Sequence, residues 1–158
     1  ALSIQILSIM TILPNIVFQY TLSQDASGNS SGKIKKISIA SSILVAILGI
    51  GLTPSVLPII FPEYVEAVQL IQIVSLHVIS SSIIMAYNSK FLGEEKSRYV
   101  LTGQGMSVGI YLGGIFTLGT LMGVNGIAIS LVLSSAGQAI FYIISAQYLK
   151  NQEKIEKN

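Results

Sequence analysis

The sequence is poor in the residues that carry most redox, nucleophilic and metal chemistry. Its 158 residues include no cysteine and one histidine, which excludes disulfides, thiolate chemistry and a multi-histidine metal site within the chain. Charged residues make up only 10%, against about a quarter in soluble domains. The net charge is +2, and no cluster of basic residues with aromatic platforms, as nucleic-acid binding needs, is present.

Catalytic motifs are absent as well. The sequence has no nucleophile elbow, no phosphate-binding loop of the GxxxxGK type and no pair of carboxylates on one helix face. We therefore predict no enzyme activity, no catalytic residues, no metal and no cofactor.

Apolar residues dominate what is present. They make up 51% of the chain, and the mean hydropathy is +0.72. A transmembrane helix needs about 20 mostly apolar residues, and such runs lie at residues 1–20, 37–61, 65–92, 99–122 and 127–149. We predict an all-α, polytopic transmembrane bundle of about five helices over residues 1–149, with a polar cytoplasmic tail at 150–158. Because the first run starts at residue 1 without a methionine, we expect a further N-terminal part.

Proline interrupts two of these runs. Pro14 lies in the first, and Pro54 and Pro58 lie in the last third of the second. Proline has no backbone N–H and therefore frees a carbonyl one turn earlier. We expect the second helix to kink or loosen near Pro54 and Pro58, which membrane helices tolerate where neighbours satisfy the freed carbonyls.

The positive charges follow a simple pattern along the chain. Under the five-helix prediction every lysine and arginine falls on one side of the bundle, in the first loop, the third loop or the tail: Lys33, Lys35, Lys36, Lys90, Lys96, Arg98, Lys150, Lys154 and Lys157. Loops rich in Lys and Arg stay on the cytoplasmic side. We therefore predict a multi-pass protein of the cytoplasmic membrane with its C-terminus in the cytoplasm.

Polar side chains form stripes along four of the predicted helices. Spaced at 100° per residue, they share one arc on each helix and thus face protein or a water-filled cavity. Interhelical hydrogen bonds are one explanation, and a shared hydrophilic cavity is the other. The candidates for lining such a cavity are His77, Gln69, Asn15, Gln19, Gln104, Gln138 and Tyr142.

His77 and a glycine ridge stand out among these helices. His77 is an ionisable side chain that lies well inside a predicted span. It could contact a polar or anionic substrate or carry a proton there. The alternative is that it packs as a neutral, hydrogen-bonded residue. Gly105, Gly109 and Gly113 recur at four-residue spacing. Such a ridge permits close helix approach, and we predict that it serves internal helix packing.

Four features in order resemble a known transporter family. The first run carries Pro14 and leads into a lysine-bearing loop, and residues 57–67 read LPIIFPEYVEA, similar to P-x-I-x-x-L-F-x-x-x-Y-x-x-A. Residues 91–98 read FLGEEKSR, like L-x-G-x-G-K-x-R with Glu95 at the second glycine. Residues 123–130 read GVNGIAIS, like G-x-x-G-A-A-I-A. Together they resemble the polysaccharide flippases of the multidrug/oligosaccharidyl-lipid/polysaccharide exporter superfamily.

This resemblance implies a function and a larger protein. It implies the C-terminal lobe of a two-lobe, twelve-span transporter that flips lipid-linked oligosaccharide or polysaccharide precursors across the cytoplasmic membrane by alternating access. Its partners would be the lipid-linked saccharide, the bilayer and glycan-assembly membrane proteins, without nucleic acid. Two alternatives stay open: a multidrug or cation antiporter of the same superfamily, and a non-transporting membrane assembly subunit.

Overall fold

The described part of the chain is almost entirely helical. The computed structural model describes residues 32–60, 62, 65 and 67–156, and no strand occurs among them. The predicted all-α class is therefore confirmed for this part. The first predicted span, with Asn15 and Gln19, lies outside the described residues.

The described residues form four α-helices and one π-helical segment. They are α1 (Gly32–Ile60), α2 (Ala67–Gly93), α3 (Ser97–Gly114), the π-helical segment (Ile115–Gly119) and α4 (Thr120–Glu156). Three stretches are long and apolar enough to cross a membrane: Ile39–Ile59, Ala67–Gly93 and Ser97–Gln152. These helices are consistent with a membrane protein, whereas the predicted number of five spans is not confirmed by them.

The third stretch folds back on itself at Gly123. This residue has φ 58° and ψ −133°, a conformation that residues with a Cβ rarely adopt. On either side of it the chain packs closely: a Cβ added at Gly114 would lie 2.5 Å from Ser130 Oγ, and one at Gly126 would collide with the Leu118 carbonyl oxygen. Gly114 thus lies next to Ser130, and Leu118 lies next to Gly126. Because the contacting residue numbers rise on one arm and fall on the other, the two arms are antiparallel.

Hydrogen bonds fix the directions of the other helices. Ser42 of α1 bonds to Ser82 of α2, and Gln72 of α2 bonds to Ile50 of α1, which makes these helices antiparallel. Gln69, near the start of α2, bonds to Asn125 near the start of α4. Phe91, near the end of α2, packs against Tyr142 in the second half of α4. The helices α2 and α4 therefore run in the same direction.

These directions bring the basic residues of the described part to one end of the bundle. The start of α1, the end of α2, the start of α3 and the end of α4 meet there. We call this the basic end; it carries Lys33, Lys35, Lys36, Lys90, Lys96, Arg98, Lys150 and Lys154. At the opposite end, called here the far end, lie the start of α2 and the turn at Gly123. The grouping of the charges is the one that the sequence pattern predicts.

The helix α1 continues through both prolines to Ile60. Pro54 cannot donate to the carbonyl of Ile50, its partner one turn earlier. The Gln72 side chain of α2 supplies the missing donor, with Nε2 3.0 Å from the Ile50 carbonyl oxygen. The sequence predicts that the helix kinks or loosens here, which is tolerated where neighbours satisfy the freed carbonyls. In the structure the neighbour that bonds to the Ile50 carbonyl is Gln72.

This assignment predicts a coupling between Pro54 and Gln72. Gln72→Leu leaves the Ile50 carbonyl unpaired and lowers the free energy of unfolding by about 1–3 kcal/mol. Pro54→Ala restores a backbone donor for that carbonyl, so in this background Gln72→Leu costs less than about 0.5 kcal/mol. The measurement is a double-mutant cycle by denaturation in detergent. Equal costs of Gln72→Leu in the two backgrounds would show that the bond does not compensate for the proline.

Candidate functional site

The interior of the bundle is rich in small polar side chains. Among the described residues the buried polar positions are Ser42, Ser75, Ser81, Ser82, Ser89, Ser130, Ser134, Ser135, Gln138 and Ser145. Four of them, Ser130, Ser134, Gln138 and Ser145, belong to the stripe predicted on the fifth run. That stripe therefore faces protein and not lipid, whereas the buried serines of the third run lie outside the stripe predicted there. Small side chains at these positions let neighbouring helices approach closely.

Most of these serine hydroxyls are satisfied by their own helix. Ser75 Oγ donates to the Ile71 carbonyl at 2.8 Å, Ser130 Oγ to Gly126 at 2.7 Å, and Ser134 Oγ to Leu131 at 2.9 Å. A hydroxyl that bonds to a carbonyl of its own helix can lie in an apolar interior without being left unpaired. At these positions the stripes act in helix packing.

Tyr142 connects three helices near the basic end. Its side chain is fully buried, its hydroxyl donates to the Val100 carbonyl of α3 at 3.1 Å, and Gln138 Nε2 donates to that hydroxyl at 3.0 Å. The Phe91 ring of α2 packs edge-on against the Tyr142 ring, with centroids 5.6 Å apart. Two of the predicted cavity residues, Gln138 and Tyr142, are thus brought together and bonded to each other.

Two further candidates for the cavity lining, Gln69 and Gln104, lie apart from Gln138 and Tyr142. Gln69 is exposed at the far end, where Asn125 Nδ2 donates to its Oε1 at 3.3 Å. Gln104 is exposed on α3. Neither contributes to a common polar lining with Gln138 and Tyr142.

The glycine ridge of α3 also faces outward. A Cβ added at Gly105, Gly109 or Gly113 would meet nothing within 4 Å in the described part of the chain. At 100° per residue these positions lie on the side of α3 away from α4. Gly114 and Gly126 make the close helix contacts instead. That the ridge serves helix packing stays a prediction.

His77 and Asn88 present buried polar atoms without a partner. Within the described residues, neither His77 Nδ1 nor Asn88 Oδ1 has a hydrogen-bond partner. The two residues are separated by about three turns of α2 and so lie on the same side of that helix. An unpaired polar atom buried in an apolar interior is costly. An ionisable side chain within a membrane span faces the bundle interior or a water-filled cavity, which makes His77 a candidate for contact with a substrate or an ion.

Metal binding finds no support in the described part of the chain, where no three His, Asp or Glu side chains group together. Sequence reasoning also missed Gln72 and Asn125, which bridge helices by hydrogen bonds. Pro54 does indicate that a donor is needed, because it frees a carbonyl, but the sequence does not indicate that Gln72 is this donor. No comparable signal distinguishes Asn125 from an ordinary turn asparagine.

Comparison with protein-family models, curated proteins and solved structures finds no match to this chain. The resemblance to polysaccharide flippases therefore stays a prediction based on the motifs quoted above.

The two hydrogen bonds of Tyr142 predict a specific loss of stability. Tyr142→Phe removes the hydroxyl, unpairs Gln138 and lowers the free energy of unfolding by about 1–3 kcal/mol. Tyr148→Phe is the matched control, since Tyr148 also accepts from a glutamine one turn away (Gln152 Nε2, 2.8 Å) but is 58% exposed. This variant changes stability by less than about 0.5 kcal/mol. Thermal unfolding of both variants in detergent makes the comparison, and an equal loss in the two would contradict the role of Tyr142.

Proposed function

We propose that this chain is the C-terminal lobe of a flippase that moves lipid-linked oligosaccharide or polysaccharide precursors across the cytoplasmic membrane. The observation that carries the proposal is a pair of buried polar atoms, His77 Nδ1 and Asn88 Oδ1, on one side of a helix apolar enough to span a membrane. Neither atom has a hydrogen-bond partner among the described residues. Their partner would be a polar group that is present only during transport.

A saccharide headgroup has the chemistry that these atoms require. Its hydroxyls can donate to the amide oxygen of Asn88 and can donate to or accept from His77, depending on the imidazole tautomer. A protonated His77 could also pair with the phosphate of a lipid-linked precursor. The headgroup would thereby gain a polar route while its lipid tail stays in the bilayer.

The loop between α2 and α3 supports the family resemblance. Glu95 stands where the resembling motif has its second glycine, and it has φ 58°. This is the left-handed region that glycine adopts freely and other residues adopt at a cost of about 1–2 kcal/mol. The backbone at Glu95 therefore has the conformation that explains a glycine at this position of the motif.

The proposed lobe has five spans, of which the two arms around Gly123 would form the last two. In this proposal the lobe belongs to a twelve-span transporter that works by alternating access, next to membrane proteins of glycan assembly. The basic end would face the cytoplasm, since loops rich in Lys and Arg remain on that side. The C-terminus would then be cytoplasmic.

The proposal predicts that two apolar substitutions reduce transport without reducing stability. His77→Phe and Asn88→Leu keep the approximate shape and remove the unpartnered atoms, so the free energy of unfolding stays equal or rises. Loss of one hydrogen bond to the headgroup, about 1.4 kcal/mol, lowers export about tenfold. The measurement is surface glycan per membrane-inserted full-length protein in cells, together with thermal unfolding of the same variants.

Thr102→Val is the matched control for these variants. It also replaces a polar side chain by an apolar one of similar shape, but Thr102 is exposed on α3 and bonds to its own helix at the Arg98 carbonyl. Its export should equal that of the parent protein. If His77→Phe and Asn88→Leu also export normally, the polar atoms do not serve a substrate. A packing or assembly role would then replace the proposed one.

The orientation predicts a simple labelling result. The chain has no cysteine, so single cysteines can be introduced at exposed positions at the two ends, Ser97→Cys at the basic end and Val124→Cys at the far end. In intact cells a membrane-impermeant maleimide should label Val124→Cys alone, and Ser97→Cys should react only after permeabilisation. The reverse pattern would place the basic end outside the cell.

A further inference from the structure

A recess opens between α1 and α2 toward the far end of the bundle. It has a volume of about 340 Å³, which lies in the range of ligand-binding clefts. Leu57 and Ile71, both buried, lie at its floor, and the exposed side chains of Leu48, Leu52 and Val56 line its mouth. The recess differs from the polar interior of the bundle because its lining is almost entirely apolar.

The polar side chain in this lining does not face a ligand. Thr53 is the hydroxyl residue that lines the recess, and its Oγ1 donates to the Gly49 carbonyl of its own helix. A water molecule needs two to four polar partners to be held in a cavity. A polar ligand likewise needs polar side chains or backbone groups in the lining. The lining therefore favours an occupant without hydrogen-bonding groups.

The recess is continuous with a surface that consists of apolar side chains. Leu44, Ile47 and Ile59 of α1 are 58%, 60% and 82% exposed, and they lie on the same helix as the mouth of the recess. These residues belong to the stretch Ile39–Ile59 that is apolar enough to cross a membrane. The atoms that line an empty recess forgo dispersion contacts, and an acyl chain that enters a recess in a lipid-facing surface restores them.

We propose that this recess binds the acyl chain of a bilayer phospholipid from the leaflet at the far end. The site goes beyond the proposed function and does not depend on it, since the unpartnered atoms of His77 and Asn88 belong to a different side of α2. The acyl chain lies along α1 and contacts Leu48, Leu52 and Val56. It thereby covers the helix turn next to Pro54, where the backbone hydrogen-bond ladder is interrupted.

Photo-crosslinking with a phospholipid that carries a diazirine in its acyl chain tests this site. The full-length protein is placed in nanodiscs that contain this lipid, and the labelled residues are mapped by mass spectrometry. Leu44 is the matched control for Leu48, because the two lie one turn apart on α1 at 58% and 46% exposure and Leu48 lines the recess. Labelling at Leu48 should exceed that at Leu44 about fivefold, which corresponds to a preference of about 1 kcal/mol.

Filling the recess should remove this preference. Leu52→Trp places an indole in the recess and reduces labelling at Leu48 to the level at Leu44, whereas Leu44→Trp leaves it unchanged. If Leu52→Trp fails to fold, Val56→Phe carries the same expectation with a smaller change. Equal labelling of Leu44 and Leu48 in the parent protein overturns the proposal. Absence of lipid adducts at the recess also overturns it and assigns the recess to another part of the chain or to a second copy.

Discussion

The structure depends on one constraint: the hydrocarbon of a bilayer offers no hydrogen-bond partner, so a backbone polar group that lacks a partner within the protein is costly there. The bond from Gln72 to the Ile50 carbonyl shows how this constraint couples helices. A proline in α1 creates the need, and a side chain of α2 meets it. The serine hydroxyls that bond to their own helices follow the same constraint without crossing to a neighbour. Small residues and a few bridging side chains therefore contribute to the helix contacts of the described part, next to the apolar packing of Phe91 against Tyr142.

Much of this arrangement follows from the sequence. Long apolar runs predict the helices, and the positions of the lysines predict that α1, α2, α3 and α4 present their charged termini at one end. Pro54 predicts a carbonyl that needs a partner. Gln72 could not be identified as that partner, since periodicity gives the face of a side chain but not the helix opposite it. The π-helical segment at Ile115–Gly119 is also unpredictable, because a residue inserted into a helical ladder leaves the apolar pattern nearly unchanged.

The candidate site was predictable to a smaller extent. Polar periodicity places Gln138 and Tyr142 in the interior, yet their bond to each other makes them part of a helix contact. The four-residue glycine spacing predicts helix packing at Gly105, Gly109 and Gly113, but in the described part the close contacts are made at Gly114 and Gly126. Spacing alone cannot distinguish the two sides of a helix. His77 and Asn88 differ from the other polar residues through a property that only coordinates reveal, the lack of a partner for a buried atom.

The concentration of charge at the basic end has an electrical consequence. No Asp, Glu, Lys or Arg occurs between residues 37 and 62, 67 and 89, or 99 and 149. A membrane potential acts on a moving charge with about 2.3 kcal/mol per elementary charge per 100 mV, and these helices carry none through the field. If the chain works as the proposed alternating-access transporter, movement of these charge-free stretches would transfer no side-chain charge across the membrane while His77 is neutral. A proton on His77 would make the same motion sensitive to voltage.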